Sequence, residues 1–279
     1  MHICTFREKA DYLKKKAREV RIEIIKMIYK AQAGHPGGSL SAADIVTILY
    51  FDILNIDVNR PQWEKRDRFI LSKGHACPVW YVCLAKKGFF PMQELSKLRK
   101  IGGILQGHPD MRKVPGLDMT TGSLGQGLSA GVGMALGAKV QKLNFKTYVL
   151  LGDGEINEGQ IWEAAMSANK FKLNNLIAIL DYNNLQLDGF CNEVMPIEPI
   201  GDKWRSFGWD VKEIDGHNIK EILTVLENLK DHQDHPTFII AHTIKGKGVS
   251  FMENLAEWHG KAPNKEQFKQ AIKELEANK

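Results

Sequence analysis

Tyr148-Val-Leu-Leu-Gly-Asp-Gly-Glu155 and Leu176-Ile-Ala-Ile-Leu-Asp-Tyr-Asn-Asn-Leu185 are the two stretches whose reading decides the fold. Each is an unbroken apolar run that ends abruptly on small and polar residues. Four or five apolar residues without polar alternation are the pattern of a strand buried on both faces. The spacing predicts strands over Tyr148–Leu151 and Leu176–Leu180, with a helix around Gln160–Lys170 between them. Outward from this unit the alternation continues. Arg68–Leu71 reads as a strand, and Gly74-His75-Ala76 opens a helix. Trp209–Ile214, a helical pattern around Ile219–Leu229, and Thr237–His242 complete the series. Strands alternating with helices imply an α/β fold: a mostly parallel central sheet with helices on both faces. In such sheets ligands bind beyond the carboxyl ends of the strands.

Upstream, Leu13, Ala17, Val20, Ile24, Met27 and Ile28 recur at helical spacing among lysines and arginines, which predicts a long amphipathic helix. Gly34-His35-Pro36-Gly37-Gly38 stops it, and a second helix is expected from about Ser41 to Leu54, capped by Ser39 or Ser41. A charged helical pattern covers Asn264–Asn278. With no internal repeat and no low-complexity linker, residues 1–279 read as one unit. A hydrophobic content of 43% with a net charge of only +5 excludes a disordered chain. No apolar run approaches the ~18 residues of a membrane span, and the first residues lack the apolar segment of a secretory signal. Cys4, Cys77, Cys83 and Cys191 contain no C-x-x-C pair and read as free thiols of a reducing cytoplasm. The lysines are spread along the chain, which suits small anionic ligands rather than a dedicated nucleic-acid surface.

The chemistry gathers after the two strands. Adjacent parallel strands would bring Asp153 and Asn183 together as a hard-oxygen pair suited to Mg²⁺, which keeps few protein ligands and takes the rest from phosphate and water. Gly152 and Gly154 let the backbone approach a phosphate, and the helix that follows offers unpaired N–H groups to an anion. A second glycine-rich stretch, Thr120-Thr-Gly-Ser-Leu-Gly-Gln-Gly127, runs into a helix containing Gly131, Gly133 and Gly137. Three interior glycines cost a helix roughly 3 kcal/mol, which makes sense where backbone or ligand must come close. Gly125-x-Gly127-x-x-Ala130 mimics a dinucleotide fingerprint, but Pro115 and Gly116 deny it the preceding strand. His35, His75, His108 and His259 each stand next to glycine. Imidazole donates to sugar hydroxyls or moves their protons.

Twenty-eight residues separate Gly154 from Asn183, a spacing that resembles the GDG…NN signature of thiamine diphosphate enzymes. The fuller set is similar to transketolase. It comprises Ala33-Gly-His-Pro-Gly-Gly-Ser39, Arg66-Asp-Arg-Phe-Ile-Leu-Ser-Lys-Gly-His-Ala76, Gly107-His-Pro-Asp110, Thr120–Gly127, Gly152–Glu155, Lys245-Gly-Lys-Gly248 and Trp258-His-Gly260. The resemblance implies a three-layer thiamine-diphosphate-binding fold. It implies metal ligation by Asp153, Asn183 and the Leu185 carbonyl, with Mg²⁺ replaceable by Ca²⁺ or Mn²⁺. It places His75, Gly122, Ser123, Leu124, Gly154, Glu155, Asn183, Lys245 and His259 at the cofactor. His35, His108 and His259 would face the ketose hydroxyls as catalytic groups with His75, and Glu158 would relay protons at a dimer interface. The reaction implied is transfer of a two-carbon ketol unit from a ketose phosphate to an aldose phosphate, in the pentose phosphate pathway. The family's pyrimidine and C-terminal domains are not in these 279 residues. The expectation is therefore the N-terminal subunit of a split, cytoplasmic transketolase. It would be inactive without a separately encoded C-terminal subunit, with which it would assemble as a heterotetramer about a two-fold dimer. Competing readings are the diphosphate-domain subunit of a 2-oxoacid dehydrogenase, which is not expected to carry Gly-His-Pro-Gly or Trp-His-Gly, a deoxyxylulose-phosphate synthase relative, and a non-catalytic paralogue.

Overall fold

The computed structural model describes residues 5–229 and 235–277; Cys4 and Asn278, named above, lie outside them. Five parallel strands form one sheet in the order β1-β2-β3-β5-β4: β1 (Arg68–Leu71), β2 (Thr147–Gly152), β3 (Leu176–Tyr182), β4 (Asp210–Asp215) and β5 (Thr237–His242). The helices are α1 (Phe6–Ala31), α2 (Pro36–Ser41), α3 (Ala43–Ile48), α4 (Cys77–Lys87), α5 (Gln126–Val140), α6 (Gly159–Lys170), α7 (Cys191–Val194), α8 (Ile200–Ser206), α9 (Ile219–Asn228) and α10 (Lys265–Ala277).

Side chains of a strand alternate between faces, and here both faces are apolar. Tyr148 and Leu150 of β2 join a core with α1, α3, α4, α9 and α10, while Val149 and Leu151 join a second core with α5, α6 and α8. Handedness explains where α5, α6, α8 and α9 fall. A parallel crossover is right-handed, so its direction along the sheet decides which face receives the helix. The steps β1→β2, β2→β3 and β3→β4 run one way and place α5, α6 and α8 on one face. The step β4→β5 runs back, and α9 falls on the other. These are the three layers that the residue pattern implied.

The second helix departs from expectation. The expected segment is helical over α3 and the turn that follows it, but a separate helix, α2, precedes it from Pro36, because a proline at the first helical position has no N–H to leave unpaired and its φ is already helical. His35 becomes the cap, and Ser39 and Ser41 lie inside. Ser39 Oγ donates back to the His35 carbonyl at 2.6 Å. The chain then continues through α3 into a wider π-type turn at Leu49–Ile53.

The glycines of α5 divide. A Cβ on Gly131 would stand 2.6 Å from Val149 Cγ2, so glycine there lets the helix settle on β2. Gly133 faces open space. Gly131→Val should therefore cost about 1–3 kcal/mol by overpacking. Gly133→Ala should stabilise the isolated chain by roughly 0.4–1 kcal/mol. Thermal denaturation of the two variants should show melting shifts of opposite sign.

Candidate active site

The sheet register aligns the carboxyl ends. Gly152 lies opposite Asp181, and Tyr182 opposite His242, so the loops after β2, β3 and β5 leave the sheet at one level. Asp153 follows β2 directly and Asn183 follows β3. The Leu185 amide donates to Asp153 Oδ2 and to Asn183 Oδ1, each at 3.2 Å, which gathers both oxygens around one point. Asp153 Oδ1 accepts from the Gly154 amide at 3.0 Å. Asp153 is buried and no ion pair reaches it among the described residues. Burial, and then the nearby Asp181 charge, push its carboxyl up to about 6. Lys245 Nζ donates to the Leu185 carbonyl at 3.2 Å and the Gln186 carbonyl at 3.3 Å, and lies 3.1 Å from His259 Nδ1. Burial brings this ammonium down to about 8. An ammonium already rests against the carbonyl that the resemblance assigns to a metal, beside a buried carboxylate that forms no ion pair among the described residues. The oxygen set therefore fits a divalent cation. One carboxylate, one amide oxygen and one carbonyl leave most of the coordination to a ligand, and no cluster of three His, Cys, Asp or Glu side chains suited to a metal occurs among the described residues.

Three of the four predicted histidines meet. Ring centroids of His35 and His75 are 5.1 Å apart, His35 and His259 5.3 Å, and His75 and His259 5.0 Å. Burial, reinforced by neighbouring cations, holds His35 near 4 and His259 near 3, and pushes His75 well below its usual range. The cluster is neutral at neutral pH and each ring keeps one N–H to donate. His35 Nδ1 and Thr121 Oγ1 are buried without a partner among the described residues. His108 lies across from them: a Cβ on Gly122, whose φ is +154°, would be 3.2 Å from its ring. Ser123 is exposed and Leu124 half-buried in the same loop.

Two predicted residues take other places. Glu155 is buried with its carboxylate engaged by the chain itself: Ser72 Oγ and the Gly125 amide donate to Oε1, and the Gly152 amide to Oε2. It ties the two glycine-rich loops together and presents no free oxygen. Glu158 is exposed, beside Gly125, where a Cβ would come within 3.0 Å of its own Cβ.

Beneath the site lies a layer that spacing and residue type did not single out. Lys73, buried after β1, pairs with buried Asp181 at the end of β3 and also donates to the Gly38 carbonyl at 3.2 Å. Ser41 and Thr243 hydroxyls donate to the same carboxylate. Lys73 holds Asp181 below the usual carboxylate range despite its burial. A second relay fixes Lys245. The Ile244 amide donates to His217 Nε2 at 2.8 Å, so the ring proton sits on Nδ1 and is donated to Asp44 Oδ2 at 2.8 Å. Arg21 grips Asp44 with two bonds, at 2.9 and 2.6 Å. Lys73, inside the Ser-Lys-Gly-His block, and His217, next to Gly216, carried a signal in the sequence.

A family model described as "Transketolase, thiamine diphosphate binding domain" matches residues 13–278. The chain belongs to the transketolase family. It is 46% identical over 265 residues to an apulose-4-phosphate transketolase subunit of Phocaeicola vulgatus, covering 95% of this chain and 94% of that protein. It is 48% identical over 264 residues to 6-deoxy-6-sulfo-D-fructose transketolase subunit SqwG of a Clostridium species, covering 95% and 96%. A crystal structure of transketolase from Campylobacter jejuni superposes with a TM-score of 0.89 at 32% identity, over 95% of this chain and 42% of that one. The chain thus spans less than half of the solved transketolase and nearly the whole of the two subunits.

Two outcomes test the site. Asp181→Asn leaves the Lys73 ammonium buried without a counter-charge and should cost about 3–5 kcal/mol in denaturant unfolding, most of it recovered when Lys73→Met is added. His35 and His259 refuse protons that the unfolded chain takes up near their ordinary value of 6.5. Stability of the chain should therefore fall as pH drops from about 6.5 toward 4, and His35→Gln should make that slope shallower.

Proposed function

We propose that this chain is the cofactor-holding half of a two-chain transketolase. In this reading residues 1–279 form one diphosphate-binding unit that transfers a two-carbon ketol group from a ketose to an aldose phosphate, as in pentose phosphate exchange, once a C-terminal subunit is bound. The single observation that carries it is the Asp153–Asn183–Leu185 oxygen cluster standing beside three neutral imidazoles. Asp153, Asn183 and the Leu185 carbonyl would hold Mg²⁺ against the cofactor's diphosphate, with Gly154 close to the phosphates and Lys245 adding positive charge. Ca²⁺ or Mn²⁺ would serve the same oxygens. His75, Gly122, Ser123, Leu124 and His259 would line the rest of the cofactor. Thiamine diphosphate, when bound, supplies a carbon nucleophile able to carry the ketol unit.

The chain's own residues orient and protonate. His35, His108 and His259 donate N–H bonds to sugar hydroxyls, and because burial keeps them neutral each also has a nitrogen able to accept a proton. His75 packs beneath them and, with His35 and His259, narrows the cleft against water. Glu155 keeps the glycine loops in register. Glu158, exposed on the α5–α6 side, is placed to meet another protomer, where it would relay a proton.

The two relatives are named for apulose-4-phosphate and 6-deoxy-6-sulfo-D-fructose. Both substrates carry an anionic group, and the donor here is inferred to do so as well. Their subunit names support a partner chain, and a heterotetramer about a two-fold axis is the assembly proposed. No helix among the described residues is long and apolar enough to cross a membrane. Cys77, Cys83 and Cys191 are free and buried, which supports a reducing, cytoplasmic setting.

Calorimetric titration of the reconstituted pair with thiamine diphosphate decides the metal assignment. Asp153→Ala should weaken Mg²⁺-dependent binding by at least about 100-fold, in line with loss of a charged metal ligand. Unchanged affinity would remove Asp153 from the site, and ketol transfer by the isolated chain would overturn the two-chain reading.

A further inference from the structure

The turn after β4 is pressed onto the loop that carries Lys245. A Cβ on Gly216 would stand 2.5 Å from Thr243 Cγ2, and the Gly216 amide donates to the His242 carbonyl at 2.8 Å. The turn therefore lies directly against the exit of β5. This brings His217 Nε2 to the Ile244 amide, one residue before Lys245, while Nδ1–H donates to buried Asp44. Arg21 holds that carboxylate with two bonds and the Leu40 carbonyl with a third, at 3.3 Å. Burial alone would raise the Asp44 carboxyl, but Arg21 and then His217 outweigh it and hold it well below the usual carboxylate range. The arginine also meets the far end of the loop. A Cβ on Gly248, whose φ is +92°, would lie 3.5 Å from Arg21 Cδ. One residue of α1 thus braces the loop twice: directly at Gly248, and through Asp44 and His217 at Ile244. Between those points the Lys245 stem runs over Gly37, where a Cβ would lie 2.9 Å from its Cγ.

We propose that His217, Asp44 and Arg21 are positioning residues that set the Lys245 ammonium for the cofactor's diphosphate, so that cofactor affinity depends on a buried relay reaching back to α1. The proposal rests on the reading of Lys245 as a diphosphate contact and adds residues outside the site to it. A lysine is a point charge on a flexible four-carbon stem, so the place of its charge follows from where its backbone is held. In a buried site a small displacement matters, because Coulomb attraction is little screened there. The relay is suited to this task because its parts admit one arrangement. The Ile244 amide needs an acceptor at Nε2 and the ionised Asp44 needs a donor at Nδ1, and a single tautomer of the neutral ring serves both. Arg21, permanently charged and bonded in a fork, keeps Asp44 ionised and fixed in orientation.

The test compares two amides at one position, by calorimetric titration of the reconstituted pair with thiamine diphosphate in the presence of Mg²⁺. Glutamine carries its terminal oxygen to the place of Nε2 and can still accept from Ile244. Asparagine reaches only the place of Nδ1 and can still donate to Asp44. His217→Asn should weaken cofactor binding about 3- to 10-fold, as expected for loss of one hydrogen bond, and His217→Gln should stay within about twofold of wild type. Arg21→Lys keeps a charge on Asp44 but loses the two-bond grip. It should weaken binding about threefold, and it carries the test if His217→Asn does not fold. Hydrogen exchange of the cofactor-free pair reads the loop itself. Amides of residues 244–252 should exchange about 3- to 10-fold faster in His217→Asn and at the wild-type rate in His217→Gln. Equal cofactor affinity in the two amide variants, whether lowered or unchanged, overturns the proposal. So does unaltered exchange in His217→Asn. A wild-type pair that takes up no thiamine diphosphate would count against the cofactor reading, leaving the exchange result to decide whether the relay positions the loop.

Discussion

The buried pair between Lys73 and Asp181 is the interaction on which the carboxyl end of this sheet depends. Bringing two such charges out of water costs several kcal/mol per ion, and only good geometry with further hydrogen bonds offsets it. Both conditions are met here. The Gly38 carbonyl takes a second ammonium proton, and hydroxyls from Ser41 and Thr243 complete the carboxylate. These partners come from α2, the end of β1, the end of β3 and the loop after β5. One ion pair therefore fixes four segments whose loops carry His35, His75, Asn183 and Lys245.

The same pair sorts the charges of the site. Asp181 and Asp153 are both buried near strand ends, yet Asp181 is held ionised by Lys73 while Asp153 is pushed up to about 6. A single lysine cannot neutralise both. The surplus negative charge falls on the carboxylate whose oxygens converge with Asn183, and this is the physical sense in which the fold prepares a cation site without a dense cluster of acidic ligands. Lys245 answers part of that demand from above. Its backbone is held by the Ile244 amide on His217 and by the Gly246 amide on the Gly37 carbonyl at 3.0 Å.

What could be read in the sequence follows from what is local. Period-2 and period-3.6 patterns, breakers and turn residues are local, and the strands emerge within one or two residues of the expected limits. The position of Asp153 beside Asn183 was legible because two buried strands next to each other in sequence were also neighbours in the sheet. The short helix α2 was missed because Ser39 and Ser41 look like caps, whereas Pro36 is the stronger start. Lys73 with Asp181, and His217 with Asp44 and Arg21, have no signature in spacing: their partners are separated by 108, 173 and 23 residues. Glu155 reads as a ligand from its motif, but its oxygens are engaged by Ser72, Gly125 and Gly152, which only the folded loops bring together. The glycines of α5 were legible only as a close approach of backbone or ligand; Gly131 and Gly133 are alike in sequence and differ only in which face of α5 meets the sheet.

The net charge of +5 said little about ligands, since it is the small difference between 38 basic and 33 acidic residues. Position says more. Lys73, Lys245 and Arg99 each contribute to keeping at least one of the clustered imidazoles unprotonated. Burial does most to leave the rings as neutral donors and acceptors, and these cations add to it. They also raise a positive potential over a cleft with low-dielectric walls, where field lines concentrate. A cation without phosphate oxygens would find only the Asp153 corner favourable. The electrostatics of the cleft therefore favour an anion beside neutral hydrogen-bonding groups.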